Sequence, residues 1–144
     1  MVEVNQIILW IYLLAGSVWD WKERKIPVWS CLLAVGGAVL AGFYQGDLCS
    51  AEKIGGVLIG VMLCIASKLT GGQIGMGDGI TFLISGLAIG FESNFLLLFE
   101  ALFLTFLWSL FSLVRRKINL KSRIPFLPFV LAAYTWQIIE SGYF

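Results

Sequence analysis

Apolar residues along this chain gather into long runs, broken at intervals by short polar stretches. The runs extend roughly over Val4-Trp19, Trp29-Tyr44, Ile54-Leu69, Gly79-Phe91, Phe95-Val114 and Phe126-Ile139. Each reads as a helical membrane span. Several are shorter than the ~20 residues a helix needs to cross ~30 Å of hydrocarbon. Trp10, Trp19, Trp21, Trp29, Tyr44, Trp136 and Tyr143 stand near their ends, however, and such residues favour the membrane interface. The spans are therefore expected to tilt little. The fourth is the weakest, with only 13 residues and two internal glycines.

The placement of lysine and arginine tests that weak span. With six crossings, nine basic residues (Lys22, Arg24, Lys25, Lys68, Arg115, Arg116, Lys117, Lys121 and Arg123) share one side, and Lys53 stands alone on the other. Without the fourth crossing, the five from Arg115 to Arg123 change sides and the division becomes four against six. Basic residues concentrate on the cytoplasmic side of membrane proteins, which favours nine against one. The expected fold is thus all-α and polytopic, with six transmembrane helices and both termini outside. Loops 20-28, 70-78 and 115-125 then face the cytoplasm. No linker, low-complexity stretch or internal repeat divides the sequence, so residues 1-144 are expected to form a single membrane-embedded domain.

Composition agrees. Of the 144 residues, 59% are hydrophobic and 13% charged, with a mean hydropathy of +0.90, where soluble domains carry roughly 25% charged residues. The 16 glycines suit membrane helices, in which glycine is more frequent than in soluble ones. A net charge of +1 gives no footprint for nucleic acid, and the basic clusters between apolar runs read as topology markers beside a lipid bilayer. Histidine is absent, and Cys31, Cys49 and Cys64 lack metal-ligand spacing, so neither a metal nor another cofactor is expected. The first run has no basic flank before it and no small-residue cleavage site after it, which predicts no removable signal peptide.

Against this background two acids stand out: Asp20 at the end of the first run and Asp78 at the start of the fourth. A carboxylate near hydrocarbon costs on the order of 2.5 to 3.5 kcal/mol and persists mainly where it has a task. The topology places both on the cytoplasmic side at similar depth. Gly75 and Gly77, just before Asp78, allow a sharp turn and a close backbone approach. Plainer readings stand beside these. Asp78 fits a helix N-cap, Asp20 beside Lys22 and Arg24 fits a solvated interfacial acid, and Pro125 and Pro128 fit the first turn of a helix. Glu100, inside the fifth run, is expected either to face the bundle interior with a lysine or backbone partner or, as its nearness to the outer end favours, to reach water at the outer surface, and the basic residues from Arg115 to Arg123 to anchor anionic headgroups.

Three segments taken together are more specific. They are Asp20-Trp21-Lys22-Glu23-Arg24-Lys25-Ile26-Pro27, Gly75-Met76-Gly77-Asp78, and Ile124-Pro125-Phe126-Leu127-Pro128-Phe129. In this order and at these topological positions, they resemble the type IV prepilin peptidases and the related archaeal preflagellin peptidases. Two departures are present: Ile80 stands where the family usually carries a lysine, and Val28 where it carries an asparagine. The resemblance implies an intramembrane aspartyl endopeptidase with Asp20 and Asp78 as its catalytic pair. Gly75, Gly77, Pro125 and Pro128 would shape the site or hold substrate. The implied substrate is a prepilin-like protein with an N-terminal hydrophobic helix, whose short basic leader is cut at the cytoplasmic face. The short loop after Asp20 leaves no room for the paired-cysteine insertion of bifunctional members, so N-methyltransferase activity is not expected. Helix ends favour Asp20 as the protonated partner and Asp78 as the base. Two other functions remain open at this stage. One is a small transporter or channel component using both acids as ion or proton ligands, and the other a non-catalytic assembly subunit.

Overall fold

The computed structural model describes residues 4–23, 28–46, 50–71, 75–115 and 125–141. Every element among them is a helix: α1 (Val4–Glu23), α2 (Val28–Gln45), α3 (Ala51–Leu69), α4 (Met76–Val114) and α5 (Leu127–Glu140). The apolar runs forecast these elements, but not all their ends. α1 continues through Asp20 to Glu23, so Asp20 lies inside the last turn instead of closing the helix. The Ile26-Pro27 pair and the basic run from 116 to 123 lie outside the described residues.

The fourth and fifth runs form one element. As a straight rod, the 39 residues of α4 would extend about 58 Å, well beyond ~30 Å of hydrocarbon. The rod is broken at Gly90, whose φ of 78° and ψ of −175° are non-helical. That left-handed φ is open to glycine at little cost. The Asn94 side chain shows what the break does. Its Nδ2 donates to Phe82 O at 3.0 Å, and its Oδ1 accepts from Ser85 Oγ at 2.6 Å. Twelve residues of unbroken helix would hold Phe82 and Asn94 about 18 Å apart, so the chain reverses and the arm 91–114 runs back beside the arm 76–89. The apolar runs leave Glu92-Ser93-Asn94 between the fourth and fifth spans; the break falls at Gly90 because that position alone in the stretch has no Cβ to oppose it.

Small residues bring α3 against the first arm of α4. A Cβ on Gly60 would lie 2.3 Å from Leu83 N, one on Gly86 2.2 Å from Gly56 C, and one on Gly79 2.6 Å from Cys64 Sγ. The partner numbers fall along one helix as they rise along the other, which makes the pair antiparallel, and no other pair packs so extensively. Glycine faces permit this approach, and dispersion and close packing hold helices together where lipid removes the hydrophobic drive. Asn94 also donates to Gly56 O at 3.0 Å, tying the second arm to the same junction.

Leu9, Leu13, Phe82, Leu97, Val130 and Tyr134 fill the centre between α1, α4 and α5. The outward faces are apolar as well: Leu33, Phe43 and Met62 are each more than 70% exposed. Among the described residues, α4 is the helix that is long and apolar enough to cross a membrane. The alternating directions bring the end of α1, the start and end of α4 and the start of α5 to one end of the bundle. Lys22, Lys68 and Arg115 stand at that end and Lys53 at the other.

Candidate active site

Asp20 reaches its place because α1 and α5 touch one turn before it. A Cβ on Gly16 would lie 2.6 Å from Leu127 Cδ2, so the glycine leaves room for the Leu127 side chain where the start of α5 meets α1. Leu127 N then donates to Asp20 Oδ2 at 3.2 Å. This donor is available because the first N–H groups of a helix have no partner within it. Phe126 caps α5 and a proline follows in its first turn, so Pro128 brings no N–H. Phe129 N donates back to Phe126 O at 3.0 Å. Of the unsatisfied donors that open every helix, Leu127 N–H is the one directed at Asp20, and the acid itself is only 9% exposed.

Asp78 is organised by its own turn. Gly75 is the N-cap of α4 in extended conformation (φ −64°, ψ 125°) and Asp78 is the third helical residue. Asp78 N donates to Gly75 O at 3.1 Å, and the Gly75 backbone lies against the Asp78 carboxylate, with no side chain on Gly75 to cap the turn. The carboxylate folds so far back that a Cβ on Gly75 would lie 2.7 Å from Asp78 Oδ2. Gly77 contributes its carbonyl, which accepts from Thr81 Oγ1 at 2.9 Å. The N-cap reading of Asp78 is therefore corrected: Gly75 holds that position, and Asp78 lies three residues further on, its carboxylate folded back over the cap.

The two acids share one neighbourhood, each within electrostatic range of the other. Residues 58 positions apart are brought there by three helix ends, those of α1, α4 and α5. Asp20 also faces the N-terminus of α5 in addition to the C-terminus of its own helix, so the helix-end difference between the acids is smaller than the sequence implies. Pro125, half-buried, precedes α5, and Pro128 lies in its first turn. Ile80, at the family's lysine position, packs against the hydrophobic core. Among the described residues, no group of three or more histidine, cysteine, aspartate or glutamate side chains is arranged to hold a metal.

Two contributors escape a reading of the sequence alone. Leu127 acts through a backbone N–H, which its apolar side chain does not signal. Tyr12, buried on α1, makes a 3.1 Å hydrogen bond to Thr81 Oγ1 and a 3.6 Å contact with Cys31 Sγ, and a tyrosine inside an apolar run gives no sign of such partners. A second polar region lies at the opposite end of the bundle, where Gln6, Glu52, Lys53, Glu100, Gln137 and Glu140 surround a cavity of about 530 Å³.

No match was found among curated proteins or among solved structures. The sequence model of the type IV leader peptidase family matches residues 7–110. This span contains both acids and the glycine turn, and ends before the Pro-Phe-Leu-Pro-Phe segment, which the geometry nonetheless joins to Asp20. With nearly three quarters of its length matched, including the two helix ends that carry Asp20 and Asp78, this chain belongs to the type IV leader peptidase family.

Proposed function

We propose that the chain is an intramembrane aspartyl endopeptidase that removes the short basic leader of prepilin-like proteins at the cytoplasmic face of the cell membrane. The observation that carries this reading is the shared neighbourhood of Asp20 and Asp78, two acids from separate motifs, at the end of the bundle that also holds Lys22, Lys68 and Arg115. Two carboxylates within hydrogen-bonding reach hold one proton between them. The ionised acid takes a proton from a water that attacks the scissile carbonyl. The protonated acid donates to the developing oxyanion, and a proton then passes to the departing amine. The capped turn at Gly75 and the Leu127 N–H hold the two acids before substrate arrives, so little reorganisation is needed in the transition state.

Family membership and the lipid-like outward faces support a multi-pass protein in the bilayer, its substrate a protein whose hydrophobic N-terminal helix enters from the same side. Only residues 24–27 separate α1 from α2, which favours proteolysis without N-methylation. Co-expression with a prepilin tests the reading. Asp20→Asn and Asp78→Asn should each abolish leader removal while the protein still accumulates in the membrane. Undiminished cleavage in either variant would refute the dyad, and altered proton or ion flux without cleavage would support a transporter instead.

A further inference from the structure

Behind the acid pair, hydrogen bonds run from α2 through α1 into the turn that carries Asp78. Their direction follows from counting protons. A hydroxyl has one hydrogen to give. Thr81 Oγ1 donates to Gly77 O at 2.9 Å, so across the 3.1 Å contact Tyr12 donates to Thr81. The hydroxyl hydrogen of Tyr12 is then committed, and across the 3.6 Å contact Cys31 donates to Tyr12. The sequence of donors is Cys31, Tyr12, Thr81, and it ends on the carbonyl of the residue before Asp78. Tyr12 is 6% exposed and Thr81 fully buried, so water does not compete for these bonds. The Tyr12 hydroxyl is also within electrostatic range of Asp78.

The placement gives the link its purpose. Tyr12 precedes Asp20 by eight residues on α1, and Thr81 follows Asp78 by three on α4. The bond thus joins the two helices that carry the two acids. Of the packed helix pairs, α1 and α4 have the least contact, so apolar packing does little to fix one acid against the other. We propose that Tyr12 is a positioning residue for Asp78: through Thr81, its hydroxyl fixes the first turn of the helix bearing that acid relative to the helix bearing Asp20. This rests on the reading of Asp20 and Asp78 as the catalytic pair. The hydroxyl is buried with Thr81 and Cys31, and its effect is on geometry.

The test is steady-state cleavage of a prepilin by the purified full-length protein, with rates normalised to folded enzyme. Tyr12→Phe keeps the ring and removes the hydroxyl, and Thr81→Val keeps the shape and removes the relay. Each is expected to lower kcat about tenfold, the scale of one lost hydrogen bond expressed in the transition state, with KM within about twofold of wild type. Thr81→Ser, which keeps the hydroxyl, should retain nearly full kcat. The double variant should be no slower than the slower single, because both remove one link. Wild-type kcat in both single variants, equal losses in Thr81→Ser and Thr81→Val, or multiplied losses in the double would each overturn the proposal. Should Tyr12→Phe fail to fold, the Thr81→Ser and Thr81→Val comparison decides alone. Asp20→Asn and Asp78→Asn, run alongside, separate the two claims. If they still cleave, the dyad is wrong; if they are inactive while Tyr12→Phe is unaffected, only the positioning role is lost.

Discussion

Replacing Gly60 with alanine probes whether close packing of α3 sets the position of Asp78. The new methyl would stand 2.3 Å from Leu83 N and 2.5 Å from Leu83 Cα, whereas ordinary contact begins at 3.4 Å, so the helices must part by about 3.4 − 2.3 = 1.1 Å. The opposing atoms are backbone, and no change of rotamer relieves them. Overpacking of this kind costs about 1–3 kcal/mol. The same displacement falls on the arm whose first turn holds Asp78, where a shift of ~1 Å costs up to about 100-fold in rate. Gly36→Ala provides the control. A Cβ there meets nothing within 4 Å, and alanine in a helix interior gains about 0.5–1 kcal/mol over glycine. Prepilin cleavage rates and denaturant titrations of the purified variants in micelles would measure both effects. If Gly60→Ala cleaves and unfolds like Gly36→Ala, the glycine contacts do not position the acid and the argument fails.

Two further substitutions separate geometry from stability. Gly75→Ala places a methyl 2.7 Å from Asp78 Oδ2, which the carboxylate escapes by swinging away. Cleavage should fall by roughly tenfold or more, while the unfolding free energy stays within about 1 kcal/mol, and equal activity in the two proteins would show that the folded-back carboxylate is not the working one. Asn94→Leu removes the bonds to Gly56 O and Phe82 O and the one from Ser85. At about 0.6 kcal/mol each between membrane helices, the loss is about 2 kcal/mol, read by denaturant titration, and an unchanged midpoint would show that Gly90 alone holds the reversal.

Hydrophobic runs located each helix well but fixed neither its ends nor its bends. Apolarity reports where lipid or core lies, and the polar turn from Asp20 to Glu23 stays helical because nothing at those positions opposes it. The break at Gly90 rather than at Glu92-Ser93-Asn94 depends on a backbone angle, and only the Asn94 bonds reveal the reversal. Both acids were visible because carboxylates are rare in such surroundings, and Gly75 and Gly77 because they adjoin one. Gly16, Tyr12 and Leu127 were hidden for a common reason. Each acts through contacts with residues 69 to 111 positions away, and only the folded chain brings such partners together. Pro128 lies in the first turn of the fifth helix, as a helix-start signal should, and it is the free N–H of Leu127 beside it that is directed at Asp20.

That arrangement governs how an inert form of the protein ought to be made. Position 20 serves as an acid and also terminates the fifth helix through the 3.2 Å bond from Leu127 N. Alanine there would strand a donor on a residue with no accessible surface, a penalty of about 1–3 kcal/mol, and lost processing would then report loosened architecture along with lost chemistry. Asparagine keeps an oxygen for that donor and discards only the ionisable group, so a substrate-trapping version of this protein is best built with the amide.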